Sequence, residues 1–179
     1  MSIRGIIAVT GLMLCVATGA HAQALDFPFQ VRAVPSLKGN DAIVVSYNGA
    51  SGQSVPSMCV NVYAFSASSG AMLDCCNCLV PADAMATIPI ISDLLEKPKV
   101  KPKQLVLKLM ASTGTAFACD ASAVGTGANV LATGMLAWKG GTPFTPSTLS
   151  AAELTSIDNQ CAGIHSPGRV CTACVPAVM

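Results

Sequence analysis

Charge is scarce in this chain. Of 179 residues, ten are Lys or Arg and nine are Asp or Glu, for a formal net charge of +1. Without a surplus of cations to neutralise phosphates, the composition argues against a nucleic-acid binder. Aromatic residues reach only 4%, with one Trp and two Tyr. Few flat rings are therefore available for stacking sugars or bases. Histidine occurs twice, which narrows the choice of general bases near neutral pH. Hydrophobic residues are plentiful at 52%, alongside nine Cys, fifteen Gly and eleven Pro. A chain this apolar has the means to bury a core and is no candidate for disorder.

The first 22 residues read as a secretory signal peptide. Arg4 supplies the positive start, Gly5 to Thr18 an uncharged apolar stretch, and Ala20-His21-Ala22 a small-x-small cleavage site before Gln23. A membrane anchor is the rival reading, but the apolar run falls short of the roughly 18–20 residues a spanning helix needs. Lipidation at Cys15 is disfavoured, because Leu12-Met13-Leu14 puts no small residue before it. Cleavage takes Arg4 away and leaves nine bases against nine acids, with His165 the one remaining histidine. No later stretch is apolar for long enough to span a bilayer. The expected location is secreted, periplasmic or at the cell surface.

Eight cysteines then remain: Cys59, Cys75, Cys76, Cys78, Cys119, Cys161, Cys171 and Cys174. An even count in an exported chain favours a disulfide framework, whose connectivity the spacing does not reveal. Two C-x-x-C pairs, Cys75/Cys78 and Cys171/Cys174, keep zinc binding or redox activity as the alternative. Haem attachment is disfavoured, since Val175 follows Cys174 where a histidine is required. Successive residues of a strand point to opposite faces. In a strand, Cys75 therefore faces away from Cys76 and Cys78, and the three need partners elsewhere in the chain.

Strand patterns recur along the rest. Phe27–Val34, Ala42–Asn48, Cys59–Phe65, Met72–Val80, Thr87–Ile91, Gln104–Met110 and Val130–Lys139 carry β-branched, aromatic or alternating apolar residues. Val60 and Val62 should face one way and Asn61 and Tyr63 the other; Leu105, Leu107 and Leu109 should share a face opposite Lys108. Pro89 suggests an edge position for its strand. Gly140–Pro146 reads as a linker. Ser150-Ala151-Ala152-Glu153 is a capping box. Leu149 and Leu154 are placed as a hydrophobic staple, and Leu154, Ile157, Cys161 and Ile164 form a helical stripe ending near Gly163.

From Cys59 onward the chain resembles a set of secreted, cysteine-rich bacterial proteins, mainly of acidobacterial type, with no established activity. The shared features are the strand Cys59–Phe65, Cys75-Cys76-Asn77-Cys78 running to Pro81, Leu136-Ala137-Trp138, the helix start Leu149–Leu154 with Cys161, and the pair Cys171 and Cys174. They span residues 59–174, roughly two thirds of the chain. The resemblance implies export and a common fold, and it carries over no catalytic residue. The Lys-Pro segment departs from that pattern, where a more polar and less basic connection is the norm.

Candidate chemistry is thin. His165 lies in a His-Ser-Pro-Gly loop, and no Gly-x-Ser-x-Gly elbow exists to partner it in a hydrolase. It reads as an exposed loop histidine. Asp74, Asp83, Asp93, Glu96 and Glu153 show no facing carboxylate pair of the kind a glycosidase needs, and all but Glu153, the cap, read as surface acids. Gly125-Thr126-Gly127 lacks the Lys-Ser/Thr of a phosphate cradle, and Asp120 has too few oxygen neighbours to hold calcium. Lys97, Lys99, Lys101 and Lys103 form one basic run, Glu96–Lys103. It would suit an anionic surface glycan, or it guards a sheet edge against aggregation.

The expectation is therefore a mainly β protein. It is an Ig-like antiparallel β-sandwich of about seven strands with one C-terminal α-helix, stapled by disulfides. Residues 23–146 would form the sandwich, and 147–179 a helix and Cys-rich tail packed on the same domain. The expected function is a non-enzymatic structural or binding module without metal or cofactor. Its partners would be copies of itself through edge strands, or an anionic glycan.

Overall fold

Alternating apolar residues sort the strands into two sheets that share one core. The computed structural model describes residues 22–30, 42–48, 57–95, 104–113, 119–124, 134–165, 169–172 and 174–178. The elements are β1 (Ala22–Gln30), β2 (Ala42–Tyr47), β3 (Met58–Ser66), β4 (Met72–Val80), β5 (Ala84–Pro89), a π-helical turn (Ile91–Leu95), β6 (Gln104–Thr113), β7 (Met135–Lys139), β8 (Thr142–Pro143), β9 (Thr145–Leu149), α1 (Ala151–Ile164) and β10 (Val175–Val178). One sheet has the order β4-β3-β6-β1-β9 and the other β10-β5-β2-β7-β8. Every pairing between these strands is antiparallel. The protein is a mainly β, two-sheet antiparallel sandwich with one C-terminal helix.

Between the sheets, Ile43, Val45, Val60, Val62, Ile88, Leu107, Leu109 and Met135 form the main core together with Cys76 and Cys78. Each buried Leu or Ile side chain contributes about 1.5–3 kcal/mol. The other face of the first sheet is partly covered. Tyr63, Cys75, Met110 and Leu149 meet Leu154, Ile157 and Cys161 of α1, with Ala121 and Val124, in a second core. The inside–outside alternation read from Val60–Tyr63 accounts for both. Val60 and Val62 enter the main core and Tyr63 the outer one. Leu107 and Leu109 likewise enter the main core, whereas Leu105 packs at its end with Leu73, Ile91 and Leu95.

All seven strands expected from the pattern occur, Met72–Val80 with the same bounds and the others with shifted ends. The first begins at Ala22 rather than Phe27, because Ala22–Asp26 pairs with β9; residues 31–34 lie outside the described residues. The fifth spans Ala84–Pro89 and gives way to the π-helical turn. It is not an edge strand, although β10 covers only Ala84–Thr87 and so leaves the Pro89 end uncovered on that side. Gly140–Pro146 is not a linker but contains β8 and the start of β9. The seventh strand is described from Met135; Gly134 precedes it at φ +71, where a Cβ would lie 2.9 Å from the Asn48 carbonyl oxygen. A left-handed residue this close to another backbone has to be glycine.

Three strands absent from that reading, β8, β9 and β10, all lie at sheet edges. They are short and carry Pro143, Pro146 and Pro176. Proline is tolerated at an edge and masks the strand pattern in sequence. The chain changes sheet twice by short corners. Pro81–Asp83 links β4 to β5, with Asp83 at φ 56. Phe144 links β8 to β9, buried in the main core and donating its N–H to the Ala137 carbonyl at 2.9 Å.

The capping box stands as expected. Ser150 Oγ accepts from the Glu153 N–H, and Glu153 Oε2 accepts from the Ser150 N–H at 2.8 Å. The apolar stripe is shorter than expected: Ile164 is exposed and Gly163 lies within the helix, which ends at His165. Among the described residues no helix is long and apolar enough to cross a membrane.

Candidate functional site

The chemistry of the molecule gathers on β4. Because strand residues alternate, Cys75 faces outward and pairs with Cys161 of α1, their Cα atoms 5.8 Å apart. Cys76 and Cys78 face inward and pair with Cys171 (5.0 Å) and Cys174 (5.9 Å). Cys59 of β3 pairs with Cys119 (5.4 Å). The cysteines of each C-x-x-C pair take separate disulfide partners. Cys75 and Cys78, three residues apart on a strand, lie on opposite faces and take different partners, which removes the zinc knuckle as a reading of that spacing. Among the described residues no group of three metal-ligating side chains occurs.

Beside the bridges lies an ionic cluster. Asp74, at 2% exposure, accepts three donors on its carboxylate. These are the Cys75 N–H at 2.8 Å, His165 Nε2 at 2.6 Å and Arg169 Nη2 at 3.2 Å. Asp93, wholly buried in the π-helical turn, accepts the Thr172 N–H at 2.7 Å and the Thr172 hydroxyl. Arg169 also donates to the Asp93 carbonyl. Arg169 and Cys171 then hydrogen-bond the backbone of Asn77 from either side, at 2.8 Å each, in a short parallel bridge at Val170. Buried carboxylates persist because they are paired and fully hydrogen-bonded.

This corrects three expectations. Asp74 and Asp93 are not surface acids, and His165 is not an exposed loop residue. His165 closes α1, its side chain 18% exposed and directed at Asp74. Sequence separation hides the cluster: Asp74 and His165 are 91 residues apart. Only the position of Asp74 next to Cys75, in a strand whose one other polar residue besides the cysteines is Asn77, hinted at burial. Asp120 is engaged with the Ser122 N–H and hydroxyl at 2.8 and 2.6 Å. The four lysines Lys97, Lys99, Lys101 and Lys103, with Glu96 and Gly125–Gly127, lie outside the described residues.

Tyr63, on the outer face of β3, donates its hydroxyl to the Ala121 carbonyl at 2.8 Å. Burial pushes its phenol well above the ordinary range, and the charges of Asp158 and Asp120 add to this. Burial also raises Tyr47, with help from Asp83. Glu153 moves the other way, because the Ser150 N–H and hydroxyl favour its charged form.

An open cleft of about 410 Å³ runs between the first turns of α1 and the outer face of the first sheet. Phe65, Val106, Leu149 and Ile157 form its apolar walls, with Lys108 and Glu153 among its polar residues. A concave, mostly apolar surface with a few polar groups is the usual form of a binding site. Set against family models, curated proteins and solved structures, the chain matches none of them.

Proposed function

We propose that the protein is an exported, non-enzymatic structural or binding module whose β scaffold is locked by disulfides. The observation that carries this reading is the convergence of three bridges on β4, tying it outward to α1 and inward to the C-terminal tail. Bridges closing loops of this length each stabilise by about 4–5 kcal/mol in the chain-entropy account. Such bridges persist in oxidising compartments, which agrees with the signal-like residues 1–22. The resemblance to secreted cysteine-rich bacterial proteins points the same way. The Asp74–His165–Arg169 cluster serves attachment, since its groups hold the tail and the helix end. Binding, in this reading, uses the cleft beneath α1, and the lysines of 97–103 attract anionic surface glycan.

The test is intact mass and bridge mapping of protein recovered from an oxidising compartment without reductant. The expected result is a mature chain beginning at Gln23 that lacks eight hydrogens, two for each of four bridges. A fully reduced protein, or one whose fold is lost on adding a chelator, overturns the proposal.

A further inference from the structure

The tail after α1 works as a strap. It leaves the helix at His165, runs along the free edge of β4 at Arg169–Cys171, crosses to the second sheet and ends as β10, paired with Ala84–Thr87 of β5. One chain segment thus closes one side of the sandwich. Its anchors differ in access. Cys76, Cys171, Cys75 and Cys161 are all at most 2% exposed. In the Cys78–Cys174 bridge, Cys78 is wholly buried whereas Cys174 is partly exposed. This bridge is also the last tether in the chain, immediately before Val175. Beyond it β10 has four residues, of which Pro176 offers no N–H.

We propose that Cys78–Cys174 is a thiol-exchange site for a dithiol, and that opening it frees β10 from β5. Access decides where attack falls. A thiolate of the dithiol attacks the partly exposed Cys174 sulfur, and the electron pair leaves on Cys78, which takes up a proton. The second thiol of the reagent then closes on the first, forming the reagent's own disulfide and releasing Cys174 as a thiol. Two electrons and two protons pass from the dithiol to the bridge. Cys76–Cys171 stays closed in the main core, so the strap remains attached by Arg169–Thr172 while its terminal strand detaches. What becomes available is the Ala84–Thr87 edge of β5, a row of backbone donors and acceptors able to pair with another strand.

This inference rests on the oxidised form proposed above, and the experiment separates the two. Intact mass first counts the bridges in the untreated protein. Limited dithiothreitol under native conditions follows, with iodoacetamide trapping and peptide mapping. The expected outcome is alkylation at Cys78 and Cys174 while Cys75–Cys161 and Cys76–Cys171 remain closed. In that species, amide exchange over Ala84–Pro89 should be about tenfold faster than in the untreated protein. The double variant Cys78→Ser/Cys174→Ser should show the same acceleration without reductant. Cys119 is also partly exposed, so Cys59–Cys119 serves as the comparator: its opening should leave β5 unchanged. Four bridges at the outset, followed by Cys78–Cys174 opening only with the buried pairs, overturn the proposal alone. So does an opened bridge, or the double variant, with unaltered exchange in β5. Cys78 and Cys174 found as thiols at the outset overturn it together with the reading beneath it.

Discussion

Asp74 shows how much one buried side chain can organise. It is the common partner of His165 at the end of α1, of Arg169 in the tail, and of the backbone of its own strand. Removing it leaves Arg169 without its counter-charge in a largely buried setting, and breaking such a pair costs more than the pair itself contributes. Asp74→Ala is therefore expected to destabilise by about 3 kcal/mol in urea unfolding. A loss near zero would show the cluster to be incidental. Tyr63 makes a second prediction, with a clear sign. Its folded phenol ionises above the ordinary value of 10.0. The folded state therefore holds that proton where the unfolded chain releases it. The associated stability is whole below pH 10 and falls as pH rises beyond it. Absorbance at 295 nm should show Tyr63 ionising only together with loss of the fold. Tyr63→Phe should cost about 1 kcal/mol at neutral pH, as the Ala121 carbonyl loses its donor. Reversible ionisation near 10 with an intact circular dichroism spectrum would contradict this.

Among the elements, the start of α1 and strand β4 were legible, and the short edge strands β8, β9 and β10 were not. Ser150 and Glu153 form the reciprocal cap that their spacing announces, and Leu149 and Leu154 are buried together in the outer core. A cap is local: its partners are three residues apart, so sequence contains all of it. Ser150→Ala is expected to cost about 1 kcal/mol of stability by thermal or urea unfolding. Glu153 adds a pH dependence. Its folded pKa lies below the ordinary 4.5, so its support is complete above that value and is lost as pH falls through the lowered one. Amide exchange in the first turn of α1 should accelerate between pH 7 and pH 3 after correction for intrinsic rates, and less so in Glu153→Gln. Equal acceleration in both would remove the carboxylate from the account. Edge strands such as β8 and β9 gave no comparable signal. Their residues are polar, Pro-bearing and short, and pairing with β7 and β1 alone makes them strands.

At the scale of the whole molecule, two cores share the first sheet. The inner core joins the sheets; the outer one joins the first sheet to α1, with Cys75–Cys161 as its covalent link. The double variant Cys75→Ser/Cys161→Ser should therefore loosen α1 and residues 119–124 in amide exchange. Emission from Trp138, on β7 of the second sheet, should stay unchanged. A shift in Trp138 emission would mean the two cores melt as one. From its residues alone the chain determined whatever depends on near neighbours: strand periodicity, the facing of Val60 against Tyr63, the helix cap, and the opposed directions of Cys75 and Cys76. Scarce charge and an even set of eight cysteines after Cys15 likewise set the broad class. Only the tertiary structure decided which cysteine meets which, and that Asp74 and Asp93 are buried. It alone placed His165 against Asp74 and ran the tail from one sheet to the other. Those contacts join residues 60 to 96 positions apart. No local pattern encodes them, because each is fixed by how the sheets stack rather than by the chain's own periodicity.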